Sequence, residues 1–280
     1  MPAFESVDNL SIRLPAPTDG PLDQDAEWCW VAIPAEAPRR VRFHDYGAIY
    51  AIPGLYERLF HDELCCESPT TVCGLLAQAL KQTNRDPSEL RVLDLGAGSG
   101  IVAEELQRLG ASHLVGVDII EEARQAAERD RPGLYDAYLI VDMCDPDSAA
   151  DHALREADFN CLVSVAALGF GDIPPSAFAN ALNHVTPGGL IAFTLRDRFL
   201  EDTDPTGYHR LVTRMMAESV ARPLAQHRYR HRYSTAGEPL YYIAVVAEKL
   251  AEIPGDWVEN VTRRPVRAAR ERERDGRPHS

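Results

Sequence analysis

Glycines and carboxylates gather at the ends of apolar runs in this chain, a pattern that suits holding a polar ligand against main chain. The densest cluster is Val92-Leu93-Asp94-Leu95-Gly96-Ala97-Gly98-Ser99-Gly100. It reads as a buried strand that stops in a glycine turn, with a helix over residues 101–109. Alternate glycines remove the Cβ atoms that would hold a ligand away from the backbone, and they admit positive φ. The helix start that follows presents free N–H groups. A nucleotide-like ligand can therefore lie at the carboxyl end of a central strand. The spacing separates two ligand classes. A dinucleotide fingerprint needs a small third residue at position 101, where Ile101 stands. The third glycine instead comes one residue early, and Asp94 lies two residues before the first. A carboxylate aimed into the cradle repels pyrophosphate and suits a cation.

S-adenosylmethionine carries an ammonium and a sulfonium. D-x-G-x-G-x-G after an apolar strand resembles the first motif of the class I S-adenosylmethionine-dependent methyltransferases. A short apolar strand over 113–117 ends in Asp118, about 20 residues past the turn, where an acid reaches a ribose diol. The resemblance implies that Asp118, with Ile119 beside it, holds both ribose hydroxyls. Capping a helix over 121–129 is the alternative role for Asp118. A third strand over 138–141 ends in Asp142-Met143. Here the resemblance implies that Asp142 accepts from the adenine amino group and Met143 lies against the ring, with S-adenosylhomocysteine as product.

Composition is compatible with one such domain. The chain has 280 residues, 45% of them apolar, enough to bury a full α/β core with a modest extension. No run reaches the ~18 apolar residues of a membrane span, and residues 1–14 mix Glu5, Asp8 and Arg13 into the sequence. These features lead to the expectation of a soluble, cytoplasmic protein with no membrane partner. Vicinal Cys65-Cys66 followed by Cys73 fits neither a disulfide framework nor a zinc site, so no metal is expected. The net charge is −14, and residues 263–280 hold seven Arg against three acids. Without that tail the body has 22 basic and 40 acidic residues, net −18. Such a body disfavours nucleic acid. The tail itself is expected to be solvated and unstructured.

Three stretches are expected: an N-terminal extension with a helical lid (1–87), the ligand-binding core (88–250) and a charged tail (251–280). Residues 1–26 read as loose or wrapped on the surface. A small hairpin follows over 28–33 and 41–43, then helices over 46–64 and 69–81. In the core, strands begin near 91, 113, 138, 159 and 189, alternating with helices, which predicts a doubly wound α/β fold. Pro187-Gly188-Gly189 reads as a turn into the fifth strand, and 225–233 with 240–248 as a closing antiparallel hairpin. The resemblance implies a Rossmann-like, mostly parallel seven-stranded sheet. It extends more narrowly to small bacterial metabolite methyltransferases and animal methyltransferase-like proteins, whose N-terminal segment folds over the cofactor.

Acceptor chemistry is expected where the fourth strand ends. There Phe170 offers an apolar face, Gly171 close approach, and Asp172 a group to orient or deprotonate a donor. Alternatively Asp172 caps the helix that follows. Arg196, after the fifth strand, would pair with an acidic substrate group or with Asp197. His209 is a second candidate base, since histidine titrates near neutral pH. Tyr46 and Tyr50 are expected over the cofactor. The leading reading is a small-molecule methyltransferase, alone or as a homodimer. A protein or RNA methyltransferase docking through the tail and a non-catalytic cofactor-binding module are the alternatives. Titration calorimetry should show binding of S-adenosylmethionine and S-adenosylhomocysteine and none of NAD; the reverse pattern would refute the reading of the glycine spacing.

Overall fold

The computed structural model describes residues 10–16, 22–145, 149–201 and 203–258. The Arg-rich tail lies outside them. Its centre is a seven-stranded sheet of β4 (Arg91–Leu95), β5 (His113–Asp118), β6 (Ala137–Ile140), β7 (Phe159–Ser164), β8 (Val185–Arg196), β9 (Ala221–Tyr233) and β10 (Pro239–Lys249), in the order β6-β5-β4-β7-β8-β10-β9. β4, β5, β6, β7 and β8 pair in parallel, and β10 runs antiparallel to both β8 and β9. β4 and β7 are almost wholly buried because helices cover both faces. One apolar cluster gathers α6 (Pro175–Asn183) and α7 (Tyr208–Ala217) around Phe178, Phe193 and Tyr208. The other gathers α2 (Ser68–Gln82) and α3 (Ile101–Leu109) around Leu76, Val92 and Leu106. The strand order reverses between β4 and β7, so the crevice opens at their carboxyl ends. The Ser164 hydroxyl donates to the Leu95 carbonyl at 2.9 Å and ties those ends together.

The N-terminal part departs from the expected two-stranded hairpin, because Ser11–Arg13 adds a third strand to it. β1 (Ser11–Arg13), β2 (Trp28–Ala32) and β3 (Arg39–Arg42) form a three-stranded antiparallel sheet. Leu10, Val31, Val41 and Phe43 bury one face of it against Ile49, Leu55 and Leu59. The single helix expected over 46–64 is two pieces. α1 (Tyr46–Tyr50) stops before Pro53-Gly54, and a π-helical stretch, Glu57–Glu63, follows. Proline lacks an N–H and glycine relaxes the backbone, which accounts for the break. The segment Thr186-Pro187-Gly188-Gly189 is part of β8, with a register shift against β7, and not a turn before it.

The N-terminal cap is fastened to the core by polar contacts. Glu27 and Arg232 form a fully buried pair at 2.5 Å, and Glu27 also accepts from the Thr235 N–H at 2.6 Å. Gln24 donates to the Tyr242 hydroxyl at 2.8 Å, and the backbone of residues 64–67 bonds to β9 through Leu64 and Glu67. Removing one member of a buried pair leaves the other charge uncompensated, at a cost of about 3–5 kcal/mol. Glu27→Ala is therefore expected to lose about that much stability in denaturant unfolding. A loss below about 1 kcal/mol would show that the pair is not the fastening.

Candidate functional site

β4 ends in a turn that only small residues can make. The Gly96 and Ala97 N–H groups both donate to the Val117 carbonyl, at 2.8 and 3.1 Å. Gly96 has φ +73, and a Cβ there would lie 2.8 Å from both Ala167 and Ile173. Gly98 has φ +55, and a Cβ there would collide with the Tyr50 hydroxyl. Gly100 is the left-handed residue from which α3 starts.

Asp118 closes β5 beside this turn. One carboxylate oxygen accepts from the Gly98 N–H at 3.0 Å, the other from the Ile119 and Ile120 N–H groups at 2.7 and 3.2 Å. Burial pushes its pKa up while these three N–H groups pull it down. α4 (Glu121–Asp130) is capped at Ile120, so Asp118 is not its N-cap. Ile119 is 52% exposed and Ile140, at the end of β6, 38% exposed. Water-facing isoleucines on adjacent strand ends make a platform that a flat ring would cover with gain.

Two expectations need correction. Asp94 does not open into the cradle. Its carboxyl is 1% exposed and accepts from the Tyr135 hydroxyl at 2.8 Å, and burial raises its pKa to about 7. Tyr135 reaches it because its ring packs beside Gly116 and Gly100, where side chains would obstruct it. Met143 turns its thioether into the core cluster, and its carbonyl accepts from the Asn180 amide at 2.7 Å. Its side chain therefore does not face the crevice. Asp142 is exposed, with one oxygen bonded to the Cys144 N–H at 2.8 Å.

Tyr46, Tyr50 and Tyr56 form a continuous stack over the turn, with ring centroids 6.1 and 5.2 Å apart. Tyr50 is buried on Ala123 and Ala126 of α4, and the Tyr138 hydroxyl donates to the Gly98 carbonyl at 2.8 Å. Two cavities meet at Ala166. One, of about 40 Å³, is lined by Gly96, Gly98, Tyr50 and Tyr56. The other, of about 30 Å³, is lined by Phe43, His44, Tyr46, Phe170 and Asp172 among others. Such volumes hold roughly one to three waters. The cradle has the donors, carboxylate and apolar platform that a nucleoside with a cationic tail requires. Admitting one requires the Tyr50 ring to leave Gly98.

The acceptor side follows β7. Phe170 and Gly171 have φ +53 and +89. Asp172 does not cap α6, whose N-cap is Pro174. It pairs instead with His44, Nδ1 to Oδ2 at 3.0 Å. Sequence reasoning missed His44, since nothing in the order of residues brings positions 44 and 172 together. Arg196 lies with its guanidinium carbon 5.7 Å from the Phe170 ring centroid, and its buried Nη1 has no hydrogen-bond partner. Asp197 pairs with Arg228 rather than Arg196. His209 sits on α7, its N–H bonded to Asp204 at 3.0 Å, and lines neither cavity, so the geometry does not bring it to the acceptor side. Among the described residues no group of three or more His, Cys, Asp or Glu side chains is placed to hold a metal ion, and no helix is long and apolar enough to cross a membrane.

Comparison with known proteins agrees with this architecture. The family described as "Methyltransferase domain" matches residues 68–237. Human methyltransferase-like protein 27 is 30% identical over 166 residues, covering 53% of this chain and 62% of that protein. The ribosomal protein L11 methyltransferase of Chromohalobacter salexigens is 34% identical over 106 residues, 37% of this chain and 32% of that one. The ubiquinone biosynthesis O-methyltransferase of Aromatoleum aromaticum is 31% identical over 108 residues, 39% and 44% respectively. The chain thus spans less than two thirds of the length of these relatives.

The buried Asp94 gives a pH signature. A carboxyl raised from near 4 to about 7 loses stability for the fold as pH rises from about 4, where the unfolded state ionises, up to about 7, where the folded state follows. Asp94→Asn keeps an acceptor for Tyr135 and cannot ionise. The wild type should therefore lose stability relative to Asp94→Asn between about pH 4 and 7, by up to about 1.4 kcal/mol per unit, and run parallel to it above about pH 8. Parallel curves throughout, measured by urea unfolding, would show Asp94 ionised in the folded protein across that range.

Proposed function

Because the chain belongs to the class I S-adenosylmethionine-dependent methyltransferase family, we propose that it transfers a methyl group from that cofactor to a small-molecule acceptor enclosed beneath its own N-terminal cap. One observation carries the small-molecule half of this reading. The cavity beside the end of β7 is lined on one side by Phe43, His44, Tyr46 and Tyr56 of the cap and on the other by Ala167, Phe170 and Asp172 of the core. An acceptor there is surrounded, which suits a free metabolite better than a segment of polymer. The net −18 of the body outside residues 263–280 also opposes a polyanionic partner.

The sulfonium of the cofactor supplies a methyl group on an already activated leaving group. The protein's share is then alignment and exclusion of water. In this reading Asp118 holds the ribose hydroxyls, the main chain from Gly96 to Gly100 lies under the amino-acid tail, and Ile119 and Asp142 meet the adenine. Residues 88–250 serve as the catalytic core, with the extension before them as a lid whose Tyr46 and Tyr50 shut over the cofactor. Phe170, Gly171 and Arg196 bound the acceptor, Arg196 with a donor still to be satisfied. The buried thiols of Cys29, Cys73 and Cys161 suit a reducing, cytoplasmic setting.

The full chain and a form lacking residues 259–280 are to be incubated with the cofactor and a small-metabolite extract. Mass spectrometry should then show the same one-methylene mass gain with both. Methylation confined to protein or RNA fractions, or lost with the tail, would favour a macromolecular acceptor. Cofactor binding without acceptor-dependent turnover in any fraction would make the domain a binding module.

A further inference from the structure

The acceptor cavity holds a pair that alignment alone does not call for. His44 lies in the turn between β3 and α1, and Asp172 in the loop after β7. An ionised carboxylate only accepts, so the 3.0 Å contact commits the His44 Nδ1–H to Asp172 and leaves the lone pair on Nε2. Nε2 has no hydrogen-bond partner among the described residues, and the ring lines the cavity.

Both partners are held in place. The Asp172 N–H donates to the Gly169 carbonyl at 3.0 Å. The loop between carries Phe170, a non-glycine residue in the left-handed region, a conformation retained only where surroundings over-determine it. The His44 ring sits 5.3 Å from Phe170 and 5.8 Å from Tyr46, centroid to centroid. The titratable groups that face it are Asp172 and Tyr46, with Tyr56, His231, Arg232 and Tyr242 across the cavity. An imidazole oriented by a carboxylate on the wall of a substrate space is the arrangement that makes a general base.

The chemistry of such a base selects the acceptor. A neutral amine attacks with a lone pair it already has, and only its ammonium form needs a proton removed beforehand. An aliphatic alcohol is a much weaker acid than a phenol, so an imidazole can take its proton only as the new bond forms. A phenol, with pKa about 10 against about 6.5 for imidazole, lies within reach. The cavity walls are largely aromatic, which suits a ring.

We infer that His44 is the general base for O-methylation of a phenolic hydroxyl, with Asp172 as its positioning residue. This rests on the methyltransferase reading above. The phenol O–H bond breaks, its proton passes to Nε2 and its electron pair stays on oxygen. That pair forms the bond to the methyl carbon, the pair of the broken sulfur–methyl bond returns to sulfur, and the imidazolium afterwards releases its proton to solvent.

The full chain is tested with 4-methoxyphenol, phenol and 4-nitrophenol as probe acceptors in mildly alkaline buffer, where 4-nitrophenol has already lost its proton. His44→Gln is expected to lower kcat by about 10²- to 10⁴-fold with 4-methoxyphenol and phenol, and by less than about tenfold with 4-nitrophenol. Asp172→Asn should follow the same order. In mildly acidic buffer, 4-nitrophenol bound to the enzyme with S-adenosylhomocysteine should show the absorbance of its phenolate, and in His44→Gln it should not. An equal loss across the three probes, or an unchanged spectrum, would reduce His44 to a structural part and overturn the inference. If S-adenosylhomocysteine binds but no phenol is methylated, the phenolic assignment fails and the methyltransferase reading stands. If S-adenosylhomocysteine does not bind to the wild type, that reading itself fails.

Discussion

The architecture of this site depends on one tight contact: the end of β4 must leave the sheet where strands on both sides still hold it. Two N–H groups of the turn converge on the Val117 carbonyl of β5, and Ser164 of β7 bonds to the Leu95 carbonyl from the other side. No side chain fits at Gly96, because Ala167 and Ile173 already occupy that space at 2.8 Å. The missing Cβ therefore does two things. It opens main-chain N–H groups to a ligand, and it lets the loop after β7 lie directly against the turn. The glycine turn and the loop after β7 are in van der Waals contact through that glycine, and neither can shift far without the other.

The N-terminal cap meets this junction with unequal grips. At one end the buried Glu27–Arg232 pair and the Gln24–Tyr242 hydrogen bond join it to β9 and β10. At the other the contacts are Tyr50 against Gly98 and α4, the Arg129 guanidinium donating to the Tyr50 carbonyl at 3.1 Å, the Glu57 carboxylate accepting from Arg131 at 2.9 Å and from the Ser99 hydroxyl at 3.3 Å, and the His44–Asp172 pair. Ion pairs buried on both sides are lost only with large penalties, whereas the partly exposed Glu57–Arg131 and His44–Asp172 pairs and the aromatic stack cost less to separate. A cap that opens at its tyrosine end while hinged at Arg232 is what this distribution of contacts allows. The break at Pro53-Gly54 between α1 and the π-helical stretch lies within the part that would move.

The parallel core was legible in the residue order because its signals are local. A strand stopping at Gly96, acids closing the next two strands, and apolar runs of strand length are all written within a few residues. The three-stranded cap sheet was not, since β1 is only three residues long and carries no periodicity of its own. The break near Pro53 was visible in composition and was outweighed by aromatic spacing. Side-chain destinations were harder still. Asp172 read equally well as a helix cap or a base until the fold brought His44 to it. Arg196 read as a partner of Asp197 until Arg228 on β9 took that place. Both of these side-chain misses involve a partner more than 30 residues away in the chain, beyond anything spacing can encode.

The same limit explains why two aspartates of identical type came apart. Asp94 and Asp118 end neighbouring strands, and both are pushed toward protonation by burial. Asp118 receives three backbone N–H groups, which stabilise its charge; Asp94 receives only the Tyr135 hydroxyl. Charge-assisted bonds from N–H groups lower a carboxyl pKa strongly, and one phenolic bond offsets little of a complete loss of water. The negative charge available to a cationic ligand in the crevice therefore resides on Asp118. Asp94 serves from below, fixing Tyr135 against Gly100 and Gly116 and so holding the shape of the turn. Any preference of this crevice for a cation over a pyrophosphate would on this geometry come from the end of β5 and not from the residue before the glycines.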